Sequence, residues 1–230
     1  MNRALTSHSS VALTVITALF VTVLITSNIV AVKLIEVGGF VLSAAIVIFP
    51  VSYIVGDVLT EVYGFARARR VIWLGFACNL IAGVAIMAAG ALPPAAFWAD
   101  NQKAYDAILG VAPRILIASF AAYLVGEFAN AVVLARMKVA TEGRFLWART
   151  IGSTIVGQGL DTVVFVSIAF MGIMPPDVLS MTIVNQWLAK TAYETVATPL
   201  TYLVVNWLKR VEDMDVYDRD TSFNPLAVAE

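Results

Sequence analysis

Residues 11–32, VALTVITALFVTVLITSNIVAV, contain no charged side chain. A helix of about 20 apolar residues spans the roughly 30 Å hydrocarbon core of a bilayer, so this run reads as a transmembrane helix. It is too long for a signal-peptide core, whose apolar region covers about 7–15 residues. Five further apolar runs follow, at residues 37–55, 71–92, 115–135, 150–173 and 181–208. The composition agrees: 60% of residues are hydrophobic and 13% charged, where soluble domains carry about 25% charged. The expected fold is therefore an all-α membrane protein of six transmembrane helices. Residues 1–210 form the membrane unit and residues 211–230 an acidic tail.

Pro50 lies inside the second run and cannot donate a backbone hydrogen bond, which predicts a bend in helix two. Residues 93–114 mix Pro, charges and aromatics and read as a loop outside the membrane, with a short amphipathic helix in its middle. Arg3, the group Arg67, Arg69 and Arg70, the group Arg136, Lys138, Arg144 and Arg149, and the group Lys209, Arg210 and Arg219 would all lie on one side. Lys33, Lys103 and Arg114 would lie on the other. Basic residues collect in the cytoplasm, so both termini are expected there. The tail carries Glu212, Asp213, Asp215, Asp218 and Asp220 and reads as solvated, although Phe223-Asn224-Pro225 would let it fold back over the cytoplasmic mouth.

The net charge of -1 and the absence of a basic stripe argue against nucleic acid as a partner. With one cysteine, Cys78, and one histidine, His8, the chain has no intrachain disulfide, no cysteine metal cluster and no Ser-His or Cys-His pair at membrane depth. Neither a metal nor a cofactor is expected.

A charge at the centre of a span costs about 2.5–3.5 kcal/mol on insertion scales, so such residues face a cavity or a partner. Glu127 and Asn130 share one face of helix four, Gln158 and Asp161 one face of helix five, and Gln186, Lys190 and Glu194 one face of helix six. At about 1.5 Å per residue, Glu127 and Asp161 lie ~18 and ~16 Å from the start of their spans, so these groups could meet near the midplane. Lys190 and Glu194 either neutralise each other at i, i+4 or complete and gate a pocket. One lysine cannot neutralise three acids, which favours a binding role for Glu127 and Asp161. Asn185 or Gln186 would add a hydrogen-bonding edge, and Trp187 and Tyr123 flat apolar surfaces. Together these suit a planar polar heterocycle resembling a purine. Phe49 and Phe165 read as packing, and Trp207 as an interfacial anchor. Asp57 and Glu61 form a second acidic group next to the arginines at 67–70, read for Glu61 as an interfacial salt-bridge network.

Three stretches, SNIVAVKLIEVGG at 27–39, SAAIVIFPVSYIVGDVLTEVYG at 43–64 and DVYDRDTSFNP at 215–225, closely resemble the queuosine-precursor transporter family. That family belongs among vitamin-uptake-type transporters, similar in fold to the substrate-binding subunits of energy-coupling-factor importers. The resemblance implies uptake of 7-cyano-7-deazaguanine, and of its 7-aminomethyl analogue, across a bacterial inner membrane for synthesis of the tRNA nucleoside queuosine. Asn28, Lys33, Tyr53 and Asp57 fall on its motifs. Another vitamin-like substrate is the alternative reading.

No G-x-x-x-x-G-K-[ST] loop is present, so the chain does not use ATP in the manner of a P-loop protein. Facilitated diffusion, proton coupling and a separate ATPase module stay open as drives. Span one lacks an Ala-x-x-x-Ala pair for docking such a module, and Ala85 and Ala89 have the spacing that would suit a homodimer. An intramembrane aspartyl protease would need a G-x-G-D signature. Gly56-Asp57 follows Ile54, and in GQGLD Leu160 separates glycine from acid.

Overall fold

The computed structural model describes residues 11–37, 40–110 and 113–227. Arg3 and His8 lie outside the described residues. The chain runs through α1 (Val11–Val30), β1 (Leu34–Val37), β2 (Phe40–Ser43), a 3-10 turn (Ala44–Val47), α2 (Phe49–Val58), a π-helical turn (Leu59–Tyr63) and α3 (Phe65–Ala91). After a 3-10 turn (Ala96–Trp98) come α4 (Ala99–Leu109), α5 (Pro113–Ala140), α6 (Leu146–Phe170) and α7 (Pro176–Glu212).

Two expectations change in the second span. Val37 and residues 40–43 do not begin a helix, because β1 and β2 pair antiparallel with Leu34 opposite Ser43 and Val37 opposite Phe40. β-Branched residues flank a Gly-Gly link, a hairpin signal that a hydropathy window passes over. Pro50 stands in the first turn of α2, where a missing N–H and a fixed φ are tolerated, so it starts the α-helix instead of bending its middle. The departure from α geometry comes at the other end, where the wider π turn ends at Gly64, whose φ of 82° is open to glycine.

Among the described residues, five helical segments are long and apolar enough to cross a membrane: Val11–Val30, Ala44–Tyr63, Phe65–Ala91, Ala96–Ala140 and Leu146–Phe170. α7 is longer, at 37 residues, but Gln186, Lys190 and Glu194 interrupt its apolar sequence. The arginines at 67–70 and Arg136 and Lys138, expected in loops, belong to the ends of α3 and α5. The expected short helix in residues 93–114 is α4, which packs against α3 through Gln102 on the Gly90 carbonyl and Tyr105 on the Ile86 carbonyl.

An apolar core joins α1, α2, α3 and α5 around Phe20, Leu24, Val58, Ile72 and Tyr123. Large apolar side chains such as Leu19, Ile81, Val84, Val196 and Leu203 point outward. The buried residues of α6 are instead largely polar: Thr150, Ser153, Thr154, Gln158, Asp161 and Thr162. That inversion, apolar outside and polar inside, is what a chain surrounded by lipid requires when it keeps a polar interior.

Candidate functional site

α5 and α6 approach most closely where two glycines face each other's helix. A Cβ on Gly126 would lie 2.7 Å from the Asp161 Cβ and 2.8 Å from the Tyr53 hydroxyl, and one on Gly157 would lie 2.7 Å from the Asn130 Cβ. Each glycine immediately precedes a polar residue of interest, Glu127 and Gln158. Small residues let helix backbones touch, and this contact turns Glu127, Asn130, Gln158 and Asp161 toward one interior space about half-way along the helices.

α2 and α7 complete that space. Asn130 donates to Asp57 at 2.7 Å. Lys190 pairs with Asp161 at 2.6 Å and sits 4.8 Å above the ring of Phe49, which itself packs 5.6 Å from Tyr53. Of the two readings of Lys190 and Glu194, the pairing of one with the other along α7 is not made. Lysine preceding glutamate is the weaker i, i+4 orientation, and the carboxylate of α6 offers better geometry. Glu194 is left 3% exposed with neither carboxylate oxygen hydrogen-bonded. Both amide atoms of Gln158, Oε1 of Glu127, Oδ1 of Asn130 and the hydroxyls of Tyr53, Thr154 and Thr162 are likewise buried without a partner.

Native interiors satisfy nearly all buried polar groups with protein or water, so this concentration of groups without a partner among the protein's own side chains makes the place the candidate site. Thr154 and Thr162 were missed in the sequence, although both lie four residues from Gln158 on its helical face. Tyr53 carried only a motif resemblance and proves to be a pocket hydroxyl. Among the described residues, no group of three or more His, Cys, Asp or Glu side chains is arranged to hold a metal ion.

Other expected site residues lie elsewhere. Asn185 is exposed, and Gln186 is half-buried on the α7 face that carries Lys190. Trp187 rests against Gly159 and donates to the Ile155 carbonyl at 2.9 Å, so it joins α7 to α6. Tyr123 donates to the Ile72 carbonyl, and Phe165 packs on Phe170. Asn28 forms a separate cluster, donating to Asn79 and accepting from Ser119. Lys33 is exposed just before β1.

Glu61 belongs to an ionic network at the end of the bundle where the tail lies. Fully buried in the π turn, it accepts from Arg149 at 2.8 Å and from Lys209 at 2.7 Å, with Lys138 at 3.6 Å. Lys138 also donates to the Glu61 backbone carbonyl, and Arg149 to that of Arg144. Asp215 bridges Lys138 and Lys209 at 2.5 and 2.9 Å. Partial burial pushes the Asp215 carboxyl up, but the hydrogen bonds from both lysines outweigh it and hold it below the ordinary aspartate value.

The tail packs along α3, while Asp213, Asp215 and Asp220 stay exposed. Both carboxylate oxygens of Asp218 accept from the Phe65 N–H, at 3.1 and 3.0 Å, placing an anion at the N-terminus of α3. Arg69 donates to the carbonyls of Ser222 and Asn224, and Trp73 to that of Pro225. Phe223 stacks 5.1 Å from Phe65, with Arg136 over its other side. Phe65, Arg69 and Trp73 are four apart, so one stripe of α3 receives the whole segment.

Residues 43–204, which hold every pocket side chain, match the family model described as "Putative vitamin uptake transporter". The chain belongs to this family. A protein of Bacillus subtilis named "Probable queuosine precursor transporter" is 32% identical over 178 residues, 76% of this chain and 77% of its own length. A protein of the same name from Haemophilus influenzae is 28% identical over 125 residues, 53% of this chain and 49% of its own length. These names agree with the resemblance read from residues 27–64 and 215–225. No solved structure matches the chain significantly. As a vitamin uptake transporter with several apolar helices, the chain is a multi-pass membrane protein that moves a small molecule, and the protease reading falls away.

Proposed function

We propose that this vitamin uptake transporter imports queuosine precursors, 7-cyano-7-deazaguanine and its 7-aminomethyl analogue, across a bacterial inner membrane. The carrying observation is the set of unpartnered groups in the pocket. A deazaguanine presents adjacent N–H and amino donors beside a carbonyl acceptor. Glu194 and Glu127 supply acceptors for the first edge, and the Gln158 amide can both donate and accept at the second. Asp161, first favoured as the binding acid, is engaged by Lys190, so its role is to place that ammonium beside Phe49. The names of the two bacterial relatives support the substrate class.

In this reading α7 is the sixth span and both termini are cytoplasmic. The network around Glu61 then closes the cytoplasmic end, with the tail strapped across α3. Residues 1–210 are the transporting unit and residues 211–230 its docked tail. Ala85 and Ala89 are exposed on α3 and would serve a homodimer contact, and the chain works without a separate ATPase module.

The test is the melting shift of detergent-purified protein with 7-cyano-7-deazaguanine, with guanine and an unrelated vitamin as controls. A ligand at 100 times its dissociation constant adds about 2.7 kcal/mol of stability. A shift confined to the deazaguanine is expected. A shift with the vitamin alone would instead favour another vitamin-like substrate.

A further inference from the structure

Glu194 faces acids and neutral polar groups from every helix around it: Asp57 and Tyr53 on α2, Glu127 and Asn130 on α5, and Thr154, Gln158 and Asp161 on α6. On its own helix stand Lys190, Thr191 and Thr198. Lys190 is the only cation that the described residues bring into this space, and Asp161 holds it at 2.6 Å. Neither oxygen of Glu194 receives a hydrogen bond, and less than a twentieth of the residue is exposed. Thr154 and Gln158 are the neutral donors beside it, and no cation among the described residues pairs with it. An ionised carboxylate buried without a counter-charge is costly, and a bound proton removes that cost.

A ligand with two adjacent N–H donors reverses the situation. A carboxylate can accept both, whereas a protonated carboxyl opposes one of them with its own O–H. We infer that the pocket binds its ligand in exchange for a proton carried by Glu194: the proton leaves for solution as the ligand's paired donors take its place on the carboxylate. This inference rests on the proposed reading of the pocket. It bears on the drive for uptake, because a ligand that displaces a proton is not carried in with that same proton. On release inside, Glu194 takes up a proton again, so each turnover moves one proton outward for one ligand inward. Entry must then be drawn by the ligand's own gradient, maintained by consumption of the imported base.

Calorimetric titration of the wild-type protein in detergent with 7-cyano-7-deazaguanine tests this without relying on a variant. From about pH 5.5 to about 8.5, affinity should rise with pH, by up to about tenfold per unit, while one proton is exchanged. Two buffers of different ionisation enthalpy should report release of up to one proton per ligand. Glu194→Gln, checked for an unchanged far-ultraviolet spectrum and melting, should bind more weakly, with no pH dependence and no proton release. Wild-type affinity that is flat with pH, or that rises as pH falls, overturns the exchange while leaving the deazaguanine site intact. A Glu194→Gln protein that still releases a proton overturns the assignment to this residue. No binding of this probe at any pH overturns the functional reading, and the exchange with it.

Discussion

Gly126 and Glu61 illustrate two ways in which one side chain, or its absence, governs the interior. At Gly126 the neighbours are the Asp161 Cβ, which can retreat only by spreading α5 from α6, and the hydroxyl of Tyr53 on α2. Gly126→Ala should therefore cost about 1–3 kcal/mol as overpacking, read as a lowered melting temperature, and should weaken ligand binding. A variant of wild-type stability would contradict this account of the helix contact. Glu61 is the opposite case, since Arg149, Lys209 and Lys138 converge on it. Removing one partner of a buried ionic group leaves the others uncompensated, so Glu61→Ala should cost on the order of 3–5 kcal/mol. Replacing Glu61 and Arg149 together with leucine and methionine should be less harmful than the first change alone. A double variant no better than the single one would count against the network as the cause. At this scale the sequence spoke unevenly. Glu127, Asn130, Gln158 and Asp161 stood on correct faces because helical period alone places them. The sequence leaves two readings of Lys190 open, and its pairing with Asp161 is not among them, because a neighbour along one helix is visible in sequence and a neighbour across helices is not.

The π turn and the tail show the same contrast for whole segments. Asp57 and Glu61 are four apart, which on an α-helix would stack their charges. The π turn that begins at Leu59 separates their surroundings, and Asp57 joins the pocket while Glu61 joins the ionic network. No hydropathy pattern announces a π turn, and the pairing of β1 with β2 before α2 is hidden in the same way by its own apolar residues. The tail's acidity points to solvent, where Asp213 and Asp220 lie, yet two of its acids have partners that only the folded chain assembles: the start of α3 for Asp218 and two lysines for Asp215. Asp218→Ala should lose its hydrogen bonds to the Phe65 N–H at about 1 kcal/mol, the usual worth of a helix N-terminal cap. Asp215 adds a pH dependence with a definite sign. Its carboxyl is lower in the folded chain, so the unfolded chain takes up the proton first as pH falls. The stabilisation is complete above the ordinary aspartate value of about 3.9 and is lost as pH falls through the folded value. Melting temperature should thus drop from about pH 5 downward, and Asp215→Asn should flatten part of that drop. An identical acid limb in the variant would remove Asp215 as a contributor.

For the whole molecule, the outward apolar surface and inward polar residues suit a membrane setting, and charge distribution is the argument for the proposed direction. Arg69, Lys138 and Lys209 meet the tail at one end of the bundle, beside Arg149 on Glu61, whereas Arg114 at the other caps α6 through the carbonyls of Ile168 and Met171. Cytoplasmic loops hold the excess of lysine and arginine, and each cationic side chain drawn to membrane centre costs about 2.5–3.5 kcal/mol. With the tail-side end inside, the basic clusters stay in the cytoplasm and α4 lies outside. Fusions decide the matter: a reporter active only in the cytoplasm should work when joined after Glu230, and one active only outside should work when inserted near Gln102. The converse pattern would invert the molecule. It would also move the Glu61 network to the outer mouth, so that an importer of this geometry would be closed toward its source of substrate. A topology with Gln102 and Glu230 on the same side would remove α7 or another helix from the spans and open the pocket, since Lys190 and Glu194 reach it only if α7 crosses beside α6.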